Sequence, residues 1–285
     1  MTATGPTVTS APTLTGAPIL TTAPVPPSRS TGRPPSAAGS PTPGTGSTEP
    51  PAGWPAPLLL PGQAAAPAGP IDLTGMYVAH AAFRRDLAAF AAAARRTPLH
   101  DRLTWGRLTA RWQLFAEILH HHHEGEDAGI WPLLMARTEA RGRKVLTAME
   151  AEHAEIDPVL ESCAAGLRRL AGTGDADTRA ALVVRLTAAR ESLGRHLAHE
   201  ESEAIALIQR HIEVQEWERL HEEHFGPQQL PRRTVLALVP WVMHELPAAA
   251  QQRMLAGAPR ALVLVWRLTR RHFAREERRT FRYAN

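Results

Sequence analysis

Residues 119–134 read LHHHHEGEDAGIWPLL, and residues 193–208 read LGRHLAHEESEAIALI. At an offset of 74, Leu119 falls on Leu193, His122 on His196, Glu126 on Glu200, Ile130 on Ala204 and Leu133 on Leu207. Apolar residues recur three and four apart in both stretches, which is the period of an amphipathic helix. In His-x-x-x-Glu the two side chains sit one turn apart on one face. That face is otherwise apolar. A second offset, of 73, places Met76, His80, Phe83, Leu87 and Phe90 on Met149, His153, Ile156, Leu160 and Cys163. The chain thus holds two copies of a helical hairpin, each offering one histidine and then His-x-x-x-Glu.

Working outward, the 3–4 spacing predicts helices over 74–96, 101–137, 143–170 and 178–211. Breaks fall at Thr97-Pro98, at Gly142 and in the loop 172–177, whose Asp177 is the expected N-cap. Short loops between long amphipathic helices make antiparallel neighbours, so the expected fold is all-α, an up-and-down four-helix bundle. Its buried stripes run through Leu108, Trp112 and Phe115 on the second helix and Leu182, Leu186 and Leu193 on the fourth. Six polar residues interrupt these stripes in register: His80, His122, Glu126, His153, His196 and Glu200. Pairing the hairpins about a pseudo-twofold axis would gather them inside one bundle. The HHHH run lies mid-helix and in register, which argues against an affinity tag; His120 and His121 are expected to face solvent.

Composition bounds the rest. Of 25 prolines, seventeen fall within residues 1–70, a Pro/Thr/Ser/Ala-rich stretch with only three charges, Arg29, Arg33 and Glu49. Such a stretch buries too little apolar surface to offset its ordering entropy, so it reads as a disordered tail. The expected organisation is this tail over 1–70, the four-helix unit over 71–212 and a helical extension over 213–285. One cysteine, Cys163, excludes a disulfide framework and an all-thiolate metal site, and reads as a small core residue. No apolar run approaches the roughly 18 residues of a membrane span. The first residues, MTATGPTVTS, lack the pattern of a secretory leader, and the expectation is a cytoplasmic protein. Thirty-one arginines against one lysine, Lys144, with a net charge of only +4, read as compositional bias and argue against nucleic acid as a partner.

Burying two carboxylates and four imidazoles costs several kcal/mol per uncompensated charge. Cations in the core remove that cost. Imidazole and carboxylate without thiolate favour iron, manganese or zinc, and two carboxylates can bridge two ions.

The order His, His-x-x-x-Glu, His, His-x-x-x-Glu over four helices resembles the hemerythrin-like (HHE cation-binding) family, over about residues 75–210. HHHHEGEDAGIWPLL resembles the family's second helix and HLAHEESEAIALI its fourth. The resemblance implies a centre of two non-haem iron ions, with manganese or zinc less favoured. In it His80, His122, His153 and His196 would be terminal ligands and Glu126 and Glu200 bridges. Where the family's oxygen carriers have a further histidine, this chain has Asp157. The resemblance makes Asp157 an additional ligand whose charge would favour the ferric state, and so redox, peroxide-consuming or sensing roles over oxygen carriage. Asp127 and Glu201, one residue beyond each bridge, are the alternatives in register. His123 and His199 lie about 100° from the inward residues, which leaves open a supporting role or a slipped ligand set.

The function the resemblance implies is binding or reduction of a small ligand such as oxygen, nitric oxide or peroxide, with peroxide- or nitric-oxide-consuming activity as its enzymatic form. The alternative is a metal-dependent oxygen or iron sensor, or an interaction protein without turnover. Beyond the four helices, short helices are expected over 214–225, 233–245, 248–256 and 260–282, with Leu236, Val239, Val242 and Met243 packing on the bundle. The last helix carries Arg267, Arg270, Arg271, Arg275, Arg278, Arg279 and Arg282 against Glu276 and Glu277. It reads first as a solvated, partly salt-bridged face, and second as a surface for a protein partner.

Overall fold

The computed structural model describes residues 51–226 and 230–284; among them every regular element is helical and none is a strand. The helices are α1 (Thr74–Arg96), α2 (Arg102–Gly125), α3 (Trp131–Arg137), α4 (Ala140–Gly172), α5 (Ala176–His199) and α6 (Ile205–His211). The extension adds α7 (Val214–His224), α8 (Arg232–Met243), α9 (Ala248–Ala256) and α10 (Arg260–Thr280). Caps set the starts of α2 and α5: Asp101 accepts from Thr104 N, and Asp175, two residues before the expected cap, accepts from Thr178 N.

The second and fourth expected helices are each two α-helices joined by a π-helical turn, Glu126–Ile130 between α2 and α3 and Glu200–Ala204 between α5 and α6. Trp131 N–H donates to Glu126 O and Ile205 N–H to Glu200 O, each reaching five residues back. Such a turn takes in an extra residue and rotates the succeeding residues relative to a regular helix. Both begin at the glutamate of His-x-x-x-Glu. A regular helix turns about 100° per residue, yet consecutive Glu200 and Glu201 are both fully buried here.

α2 packs along α4, α4 along α5 and α5 along α1. The interior they enclose includes Phe83, Phe90, Trp112, Phe115, Leu146, Cys163 and Leu186, all buried. Each fully buried Leu or Phe contributes about 1.5–3 kcal/mol relative to exposure. Rings of α1 and α2 interlock, Phe90 lying edge-on to Trp112 at 4.9 Å between centroids.

The expected tail needs correcting over its last twenty residues. Residues 1–50 lie outside the described residues, whereas 51–70 pack on the helices. Leu60 is buried, Gln63 bonds the backbone of Leu58, Leu60 and Ala65, and Ala64 N–H donates to Glu201 Oε2 at 2.8 Å. These bonds satisfy a proline-rich segment that has no helix of its own.

The extension closes one side of the core. α8 and α10 pack together, α8 also touching α1 and α2, and α7 covers the first π turn. That approach is close: a Cβ on Gly125 would come 2.7 Å from the Phe225 ring, and one on Gly129 2.6 Å from the His224 ring. A buried polar knot ties α8 down. Asp86 of α1 accepts from Arg85, from Arg111 and from the Trp241 indole N–H at 3.0 Å, and Arg111 pairs with Glu277 of α10. Burial pushes the Glu277 carboxyl up to about 7, against the pull of Arg111. Val239, Val242 and Met243 pack inward as expected, but Leu236 points outward and is exposed. His121 is the second departure: α7 and α8 cover it, so it is buried while His120 faces solvent. No helix among the described residues is long and apolar enough to cross a membrane.

Candidate metal centre

The six interruptions converge. His80 from α1, His122 from α2, His153 from α4 and His196 from α5 are buried, as are Glu126 and Glu200, the first residues of the two π turns. His80 Nε2 and His122 Nε2 are 3.2 Å apart, and so are His153 Nε2 and His196 Nε2. The carboxylates lie between the pairs. Glu126 reaches His122 Nε2 at 3.1 Å and His153 Nε2 at 3.5 Å. Glu200 reaches His80 Nε2 at 3.3 Å and His196 Nε2 at 3.9 Å. Each glutamate therefore touches one imidazole of either pair.

Carboxylates fix three of the rings from behind. His80 Nδ1–H donates to Glu201 Oε1 at 3.0 Å, and His153 Nδ1–H to Asp127 Oδ1 at 2.8 Å. His196 Nδ1–H donates to Glu152 Oε2 at 2.9 Å. A proton held on Nδ1 leaves the Nε2 lone pair directed at the centre. In the His153–His196 pair two such lone pairs face each other, and a cation between them is what that arrangement lacks. The register alternatives thus have a place of their own: Glu201 and Asp127 orient imidazoles contributed by the opposite hairpin. Glu201 is itself gripped by Arg84 at 2.7 and 2.9 Å and by Ala64 N–H. Burial alone would raise its carboxyl, but the bonds from His80 and Arg84 hold it below the ordinary range.

The electrostatics point the same way. All four carboxylate oxygens of Glu126 and Glu200 are buried without an aligned hydrogen bond, close as the imidazoles are. Burial first, then the neighbouring Glu200 carboxylate, raises Glu126 well above the usual carboxylate range. Burial, reinforced by the other imidazoles, holds His122 and His123 well below theirs. Burial lowers His196 too, although Glu152 opposes it. Two buried carboxylates with no aligned hydrogen bond, set among four buried imidazoles, form a donor set that a divalent cation or a pair of them fits.

Two groups of donor atoms, each lying within 4.8 Å of one another, meet the needs of a metal among the described residues. One is His80, His122, Glu126 and Glu200; the other is His123, His153 and His196. His123 stacks on His153 with ring centroids 3.9 Å apart, and neither of its nitrogens has a hydrogen bond. Its counterpart in the second hairpin is Leu197, so the two halves are unequal. Asp157 joins neither group and is exposed. It lies on the flank of the α4 stripe through His153, Ile156 and Leu160, where no neighbouring helix covers it.

Sequence reasoning missed Glu152, which binds His196 and His199 with its two oxygens at 2.9 and 2.8 Å. No signal marks it, because its counterpart at the 73-residue offset is Ala79. Tyr77, whose buried hydroxyl has no hydrogen bond, was missed as well; burial and the charges of Glu201 and Glu200 raise its pKa. The role of Asp127 and Glu201 was recoverable, since both acids recur at the 74-residue offset.

Residues 73–208 match the family described as the hemerythrin HHE cation binding domain. Comparison with curated proteins returns no match, and neither does comparison with solved structures.

Proposed function

We propose, on the match of residues 73–208 to the hemerythrin HHE cation-binding family, a non-haem di-iron protein that binds or reduces a small ligand such as oxygen, nitric oxide or peroxide. One observation carries the reading: Glu126 and Glu200 each lie between an imidazole of the His80–His122 pair and one of the His153–His196 pair. In that disposition the two carboxylates would hold two ions jointly, and the four histidines would be the terminal ligands. Packing of α1, α2 with α3, α4, and α5 with α6 in sequence supports an up-and-down four-helix bundle as the frame. His123, beside His153, takes the additional position for which Asp157 was expected.

When bound, two iron ions supply an open coordination position and one-electron redox steps. The chain's own residues do the rest. Glu201, Asp127 and Glu152 hold three imidazoles with Nε2 inward, and a misdirected ligand costs metal affinity about 10–100-fold. Phe83, whose ring lies 5.4 Å from that of His122, and the buried apolar stripes that carry the donors keep the site dry.

The test is metal content and optical spectrum of the full chain purified without added metal, before and after oxygen and hydrogen peroxide. About two irons per chain, with absorption from an oxygen-bridged ferric pair, is the expected result. A colourless protein filled with zinc, or one holding no metal, would overturn the di-iron reading.

A further inference from the structure

A cleft of about 470 Å³ lies between the packed segment 51–70, α1, α5 and the turn that joins α8 to α9. None of the proposed metal ligands lines it. Its apolar wall comes from Leu60, Pro61, Leu193, Leu246 and Pro247, and its charged side from Arg84, Arg85 and Arg190. Glu245 is the one acid among the lining residues, and its side chain is 69% exposed. We propose that this cleft binds a small organic anion, an apolar body ending in a carboxylate.

The proposal stands apart from the di-iron reading. Two of the walls, at residues 60–62 and 244–247, lie outside the family-matched segment. Size is the first argument. Small-molecule sites run to about 300–1,000 Å³ and combine apolar walls with a few fixed polar groups. Charge is the second. Arg190 is exposed and pairs with no carboxylate among the described residues. Behind Arg85, one carboxylate, Asp86, is shared with Arg111, and the other acid on Arg111, Glu277, is pushed up to about 7. Base therefore exceeds acid on that side. A free guanidinium fork fits a carboxylate with two parallel hydrogen bonds.

The other two arginines are held in place before any ligand arrives. Arg84 donates from both terminal nitrogens to Glu201 at 2.7 and 2.9 Å, and Arg85 donates to Asp86 at 2.9 Å and to the His244 carbonyl at 2.7 Å. A guanidinium has five N–H donors, so both keep donors to spare. Groups ordered in advance lose little entropy on binding, which lowers the cost of capturing a small ligand. The turn is fixed as well. Gln251 donates to the Leu246 carbonyl at 3.0 Å, and Glu245 is held at φ 57°, a left-handed conformation that costs a residue with a side chain.

Calorimetric titration of the full chain as purified, with hexanoate, 1-hexanol and inorganic phosphate, separates body from charge. Hexanoate should bind at one site per chain with a Kd near or below about 1 mM, and the other two at least about tenfold more weakly. Arg190→Gln should weaken hexanoate about tenfold. Gly194→Leu should abolish its binding: a Cβ there meets nothing within 4 Å, so the leucine extends into the open cleft, and leucine favours the helix. Ala88→Phe fills the cleft from α1 should Gly194→Leu fail to fold. An anion captured elsewhere, the metal centre included, would survive that filling. Hexanoate that does not bind, that binds no better than hexanol or phosphate, or that still binds once the cleft is filled would overturn the proposal.

Discussion

Replacing Glu126 by glutamine should stabilise the metal-free protein and destabilise the metal-loaded one. In the metal-free centre both Glu126 oxygens are buried without hydrogen bonds, facing His122 Nε2 at 3.1 Å and His153 Nε2 at 3.5 Å. Since Asp127 holds the His153 proton on Nδ1, the carboxylate there confronts a lone pair. Glutamine keeps the shape, removes the charge and presents an amide N–H to the same nitrogen. Relief of an unsatisfied buried polar group is worth about 1–3 kcal/mol. For a chain of this size, 1 kcal/mol moves Tm by about 2–4 °C, so the metal-free variant should melt roughly 2–12 °C higher near neutral pH.

The pH dependence gives a second check. Burial and Glu200 raise the folded-state pKa of Glu126 above its ordinary value of 4.5. The folded state therefore holds the proton more tightly than the unfolded chain. The stability this confers is fully present below 4.5 and is lost as pH rises through the folded value. The advantage of the glutamine variant should accordingly shrink as pH falls toward that range. With metal at roughly 1,000 times Kd, binding adds about 4 kcal/mol to the wild type. Without the proposed Glu126 bridge the variant gains less, and the order of melting temperatures reverses. Thermal unfolding followed by circular dichroism, with chelator and with iron, reads both states. A metal-free variant that melts below the wild type, or a gap indifferent to pH, would refute the reasoning.

Two further outcomes rest on the same physics. Asp86→Ala strands the Arg111 guanidinium and the Trp241 indole in the interior, and should cost about 3–5 kcal/mol in urea unfolding; a loss under about 1 kcal/mol would contradict the buried knot. His123→Leu installs the residue that the repeat places at Leu197. The fold should be retained, while chelator competition should show metal held about tenfold or more weakly; unchanged retention would remove His123 from the donor set.

Much of the site is legible in sequence for one reason: polar residues that interrupt an apolar helical stripe at the helical period must be buried wherever the stripe is. His80, His122, Glu126, His153, His196 and Glu200 obey this rule. Residues on the flanks of a stripe do not, because the neighbouring helix decides their burial. Asp157 and His123 both stand off their stripe centres, yet Asp157 is left in solvent while His123 is stacked against His153. His121 is buried for a similar reason: α7 and α8, remote in sequence, fold over it.

Periodicity along the chain sets the helices, their four long amphipathic stripes and the repeat that aligns one hairpin's donors with the other's. Those properties are local and periodic, and the 3.6-residue turn projects them onto a face. What lies behind and beside that face is set by packing between helices. The π turns at Glu126 and Glu200 rotate the next acid toward the opposite hairpin, so Asp127 and Glu201 orient histidines to which periodicity does not connect them. The strap at Ala64 and the knot at Asp86 likewise join residues more than a hundred positions apart, and only packing brings such residues together.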